Sequence, residues 1–183
     1  MTMLAKHSRS AAEGSNRLTS VSGKDVISFT YNGLGDRYQQ IVNSTTTTYQ
    51  LDLALLQSAS RTGLVNVLAD GENTYLYGRV STPAGRNTVV AQISDTQTGY
   101  YLPDVLGSVR QLTSLTGEVQ LSQRFTPFGE VKEKYGDAED AFGYAGQMYD
   151  EQIGLLYLRA RYYAPGTGRF ISHDTWSGDR LNR

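Results

Sequence analysis

Ser172, His173 and Asp174 stand side by side near the end of the chain and carry the side-chain types of a nucleophile, a base and an orienting acid. Their spacing opposes that chemistry. Adjacent residues on an extended strand point to opposite faces, so three in a row cannot form a nucleophile–base–orienter line without a special turn. Metal chemistry has little to work with either. The two histidines, His7 and His173, lie at opposite ends of a chain with no Cys, so the usual His/Cys ligand clusters are missing and neither a metal nor a cofactor is expected. Gly33-Leu34-Gly35 and Gly166-Thr167-Gly168 lack the strand–loop–helix context of a phosphate cradle and read as turns. What the chain has in excess is tyrosine, 13 against one Trp and five Phe. Tyr157, Tyr162 and Tyr163 near the end could form a binding face, because Tyr stacks on sugar rings and is enriched in recognition surfaces. β propensity favours the other reading of the same side chains, with Tyr75 and Tyr77, as the packed face of a sheet.

Those side chains need elements to hold them, and the sequence offers strands. From Arg17 onward, short runs rich in Thr, Val, Ile, Leu and Tyr are separated by Gly, Asn or Asp, which is the spacing of an antiparallel β meander. Strands are expected at 26–31, 37–43, 45–53, 64–68, 74–77, 89–94, 99–102, 109–113 and 119–125, with a long final strand over 155–163. Residues 55–62 read as a short helical turn or an irregular crossing. The clearest hairpins turn at 70–73 and 114–118. Pro127 should end or bend its strand, and 132–141 reads as a charged loop in which Asp137, Glu139 and Asp140 are solvated. No amphipathic helix of useful length is present, which removes the crossovers that a parallel α/β sheet requires.

Composition narrows the function classes. The net charge is −1 and the pI about 6.1, so there is no electrostatic case for nucleic acid or an anionic membrane as a general partner. No apolar run reaches the roughly 18 residues of a spanning helix, and the first sixteen residues lack the apolar core of a signal peptide. The compartment stays open between the cytoplasm before specialised export and secretion.

Four motifs then occur in order: YLPDVLGSVRQLT over 101–113, RFTPFGEV over 124–131, YAGQMYDEQIG over 144–154 and GLLYLRARYYAPGTGRFIS over 154–172. Together they resemble the signature region of RHS-repeat, or YD-repeat, proteins, a group related to toxin-complex C subunits and teneurin-type shells. FTYNGLGDR over 29–37 is similar to one YD repeat, with Asn32 where that repeat usually has Asp. The resemblance implies an all-β fold in which hairpins coil into part of a hollow shell around polypeptide cargo, commonly a toxin, and the conserved end plugs it. It divides the chain into a flexible arm over 1–16, YD-repeat-like hairpins over 17–99 and the conserved core-associated region over 100–183.

In that family the end of the core acts as an intramolecular aspartyl protease that frees C-terminal cargo. The Arg of the RYY motif and the Asp after GRF correspond here to Arg161 and Asp174. The chemistry needs a carboxylate to activate water and a second group to hold the carbonyl and shift proton affinity. Ala164 replaces the Asp of the common RYYDP form and Thr175, after Asp174, replaces the Pro of the common Asp-Pro, which leaves Asp150 and Asp104 as the remaining motif carboxylates. The bland alternative is that Arg161 and Asp174 form a structural ion pair. With nine residues after Asp174, the expectation is a shell or plug segment rather than a working enzyme. Self-cleavage and a carbohydrate- or protein-binding module remain as alternatives. A few hairpins cut from a spiral expose strand edges, so a homo-oligomer or a complex with a longer RHS-repeat chain is expected.

Overall fold

The computed structural model describes residues 6–10, 17–53, 65–78 and 88–174, and every regular element in them but one short turn is a β-strand. Strands β1 (Lys6–Ser10), β2 (Arg17–Ser22), β3 (Val26–Tyr31), β4 (Arg37–Val42) and β5 (Thr45–Thr48) form a first sheet. An eight-stranded sheet contains β6 (Gln50–Asp52), β7 (Asn66–Ala69), β8 (Thr74–Gly78), β9 (Thr88–Ile93), β10 (Thr98–Pro103), β11 (Val109–Thr113), β12 (Val119–Phe125) and β13 (Val131–Tyr135). A third, smaller sheet contains β14 (Met148–Asp150), β15 (Leu155–Tyr157), β16 (Tyr162–Ala164) and β17 (Arg169–Phe170). Within each sheet the strands lie in chain order and pair antiparallel. The meander expected from the sequence is therefore the fold.

The turns explain the order. Four of them share one five-residue design, at 32–36, 104–108, 114–118 and 126–130. In each, the first residue is Asn, Asp, Ser or Thr, and its side-chain oxygen accepts from the backbone N–H four residues on, at 2.9 to 3.2 Å. The fourth residue is Gly at φ between 84° and 91°, whose N–H donates to the first residue's carbonyl. These are type I turns with a G1 bulge at the Gly, and a further register shift follows each one, a residue pair into the ladder. Asp70–Asn73 turns differently, with Gly71 at φ 95° in the first central position.

Side-chain alternation supplies the core. Along β10, Gly99 and Tyr101 are buried while Tyr100 and Leu102 are exposed. Buried residues of all three sheets form one cluster, including Val21, Ile27 and Phe29 from the first, Tyr75, Leu112 and Leu121 from the second, and Met148, Leu155 and Tyr157 from the third. Phe142 sits edge-on to Tyr75, Tyr101 and Tyr77, with ring centroids 4.9, 6.0 and 6.3 Å away. At Gly136, φ is 92° and an added Cβ would lie 2.1 Å from the carbonyl oxygen of Gln120, so only glycine fits where the chain leaves β13.

Several local expectations change. Lys6–Ser10, placed by the sequence in a flexible arm, pairs with β2, since a ladder at a sheet edge is made by backbone groups. Thr45–Thr48 and Gln50–Asp52 belong to different sheets, because the chain changes sheet at buried Tyr49. The charged run after Pro127 opens with edge strand β13, whose Lys132 and Lys134 suit an unpaired edge. The expected strand over 155–163 is two strands joined by a tight turn, with Leu158 N–H bonded to the Arg161 carbonyl and Arg159 at φ 61°. The expected boundary between 99 and 100 falls inside β10. Residues 55–62 lie outside the described residues.

Candidate functional site

Arg161 and Asp174 do meet. After β17 the chain runs back beside β16, with the Ile171 N–H donating to the Tyr162 carbonyl at 3.0 Å. That return brings Asp174 Oδ2 within 2.8 Å of Arg161 Nη2. The guanidinium also lies 3.8 Å from the centroid of the Phe170 ring. Both side chains keep solvent contact, at 25% and 49% exposure, so the pair is screened and its Coulomb energy is small. His173 beside it is exposed. The other motif carboxylates are committed elsewhere. Asp104 caps its own turn and stands 3.8 Å from Arg110, and Asp150 belongs to Arg37.

Arg37 is the residue that sequence reading passed over, quoted only as the last letter of the repeat. Its side chain is wholly buried. The Nη1 group donates to Asp150 Oδ2 at 2.7 Å, to the Tyr162 hydroxyl at 2.8 Å and to Gln40 Oε1 at 3.3 Å. Its guanidinium carbon lies 4.3 Å from the ring centroid of Tyr157, 4.8 Å from Tyr49, 5.6 Å from Phe29 and 5.9 Å from Tyr162. The small sheet is built for this contact. Met148, Tyr157 and Tyr162 are cross-strand neighbours in one row, and Asp150 follows Met148 on the same face of β14. Burial opposes the charge of Arg37, yet Asp150 and the tyrosine hydroxyls outweigh it and hold its pKa well above the ordinary value. Burial pushes Tyr157 and Tyr162 up and keeps both phenols neutral. Tyr49 is raised to about 12 by the same cause.

Of the three tyrosines offered as a binding face, Tyr157 and Tyr162 are thus inside, at 5% and 2% exposure. Tyr163 is half-buried, its hydroxyl bonded to the Phe128 carbonyl at 3.0 Å and its ring against Phe170. Tyr157 and Tyr162 form part of the inner row of a short sheet, which is the packed-face alternative. A second arginine, Arg159, braces the same sheet against β7 by donating to the Val65 carbonyl at 2.9 Å, to Asn66 Oδ1 at 3.3 Å and to Gln147 Oε1. Those bonds hold a non-glycine residue in left-handed backbone.

A groove of about 450 Å³ opens between the 70–73 turn and residues 136–141, and carries Asp70, Glu72, Asp137, Glu139, Asp140 and Glu151 opposite the single cation Lys134. Asp137 and Glu139 are exposed as expected. Asp140 instead turns inward, accepting from the Phe142 N–H at 2.9 Å and from Gln123 Nε2 at 2.8 Å. Burial raises its carboxyl from 3.8 to about 6 despite these donors. Two predictions follow from this geometry. Asp150→Asn or Arg37→Met leaves half of a buried pair unmatched and should cost about 3–5 kcal/mol in denaturant unfolding. Asp174→Asn, at the exposed pair, should cost less than about 1 kcal/mol. For Asp140 the folded pKa lies above the unfolded one, so the folded state binds more protons between pH 3.8 and about 6. Its ionisation is a penalty that is complete above pH 6 and relieved towards pH 4. Melting curves of the native chain and Asp140→Asn should therefore converge in relative stability as pH falls, with the native chain gaining; a difference that stays flat from pH 7 to pH 4 would rule this out.

Comparison with known proteins extends these observations. The chain is 27% identical over 154 residues to the tRNA3(Ser)-specific nuclease WapA of Bacillus spizizenii, covering 82% of this chain and 6% of that protein. It is 28% identical over 85 residues to the toxin protein Tse5 of Pseudomonas aeruginosa, covering 46% of this chain and 6% of that one. The chain thus spans about 6% of the length of these curated relatives. In fold it matches a chain of the TcdB2-TccC3 crystal structure with a TM-score of 0.64 at 18% identity, over 93% of this chain and 9% of that one. Residues 84–183, just over half of the sequence, match the model of the Teneurin YD-shell, and the chain belongs to that family of RHS/YD-repeat proteins.

Proposed function

We propose that this chain is a structural segment of a YD-repeat shell, in which the two larger sheets are wall and β14–β17 belong to the plug, and that the shell sequesters polypeptide cargo in toxin delivery. The observation that carries the reading is the Arg37 cage, which spends the polar groups of the third sheet on tying it to the first. Relatives named as a tRNA nuclease and as a toxin protein match 82% and 46% of this chain, which is about 6% of each of them. A part held in common by proteins of such different names suits a container better than a catalyst. Self-cleavage is the second reading, and the Arg161–Asp174 contact of 2.8 Å is the observation in its favour. Against it stand the commitment of Asp150 to Arg37 and of Asp104 to its own turn. On our reading the pair braces the end of the plug.

The partners that fit are other strands. β5 is an edge of four consecutive threonines without charge, and a neutral β-rich edge is a template for another chain. We expect a homo-oligomer, or a complex with a longer YD-repeat chain, and sedimentation at micromolar concentration should give a mass above 20.2 kDa. A stable, unaggregated species at that mass would count against open-edge pairing. Encapsulation is tested in a longer chain carrying its own upstream YD repeats and a reporter polypeptide after Arg183. The reporter should resist added protease, and Asp150→Asn should abolish the protection. A reporter digested at the rate of free polypeptide overturns the shell reading. Mass spectrometry of the same sample should show an intact chain, whereas a fragment that vanishes with Asp174→Asn establishes the protease instead.

A further inference from the structure

Among the described residues, one buried side-chain atom has no hydrogen-bond partner, Nε of Arg37. An unpaired donor on a fully buried cation is among the costliest polar defects a protein interior can hold. All three strong acceptors of this guanidinium gather at Nη1, while Nη2 reaches only the Met148 sulfur at 3.9 Å. Arg37 also lines a cavity of about 20 Å³, above the roughly 10–15 Å³ that one water occupies.

The cavity walls hold further unspent hydrogen-bonding capacity. Tyr157 lines it, and its hydroxyl accepts from the Arg37 backbone N–H at 3.0 Å, which leaves its own proton to donate. Tyr77 also lines it, and its hydroxyl donates to the Val67 carbonyl at 2.8 Å, which leaves its lone pairs to accept. Asp36 adds carboxylate oxygens. We propose that this cavity is a binding site for one internal water molecule, which accepts from Arg37 Nε and Tyr157 and donates to Tyr77 and Asp36. Two acceptor and two donor bonds are the full complement of a water, and a polar lining with 2–4 partners is what separates a wet cavity from a dry one. Arg159 also lines the cavity but donates to Val65, Asn66 and Gln147, and the rest of the lining, including Val67 and Phe142, is apolar, so a volume of about 20 Å³ holds a single molecule.

A crystal structure of the full chain at about 1.8 Å or better should show a water within about 2.7–3.2 Å of Arg37 Nε. In solution the Arg37 Nε–H should show a direct cross-relaxation peak with a long-lived water. Tyr157→Phe keeps the ring against the guanidinium and removes one donor, and should weaken that peak at least twofold. A dry cavity in the crystal together with no water contact at Nε–H overturns the site, and an unchanged peak in Tyr157→Phe overturns the assignment of its partners. If Tyr157→Phe fails to fold, the native chain alone decides.

Discussion

A single guanidinium with no access to solvent sets the terms for the rest of this molecule. Taking an ion of that size out of water costs several kcal/mol even after the protein relaxes. The cost is offset only where a carboxylate, hydroxyls and ring faces are held at contact distance. Those groups come from β3, the residue after β5, β14, β15 and β16. The position of the small sheet on the first sheet follows, because Asp150, Tyr157 and Tyr162 must all reach one guanidinium. Replacing an ion pair of this kind by well-packed apolar side chains is often neutral or stabilising, so net stability is not what the pair chiefly supplies. What the pair does here is join two sheets that share no backbone ladder.

Around that fixed point the chain is repetitive. One five-residue turn, used four times, reverses direction and adds a bulge each time. The first residue needs a short side-chain acceptor and the fourth needs left-handed backbone, so Asn, Asp, Ser or Thr recurs three positions before Gly. The large sheet inherits its order from these turns and its inner face from strict alternation. Phe142 and Arg159 then join it to the small sheet by edge-on ring contacts and by three hydrogen bonds from one side chain.

What was legible in the sequence was whatever depends on neighbours along the chain. The 70–73 and 114–118 hairpins, the strand Val119–Phe125 and the all-β class could be read from turn chemistry and period-two patterning. The motif pair Arg161 and Asp174 also meets. The turn at Leu158 was hidden because left-handed backbone there is held by Arg159 bonds to Val65 and Asn66, more than ninety residues away. Asp140 looked like its solvated neighbours because its side-chain partner, Gln123, sits on β12, seventeen residues back along the chain. The role of Arg37 depends on Asp150, 113 residues further on, and no local pattern marks such a pairing.

That separation matters for the order in which the molecule can be made. Hairpins between consecutive strands close small loops and form early, whereas joining distant segments carries the larger loop-closure entropy and comes late. On a ribosome the first sheet emerges complete with Arg37 but without Asp150, Tyr157 or Tyr162. A charged side chain that belongs in the interior must then wait in water until the last strands are synthesised. The first sheet cannot bury its own charge, so Arg37 stays exposed until the strands that carry Asp150, Tyr157 and Tyr162 arrive.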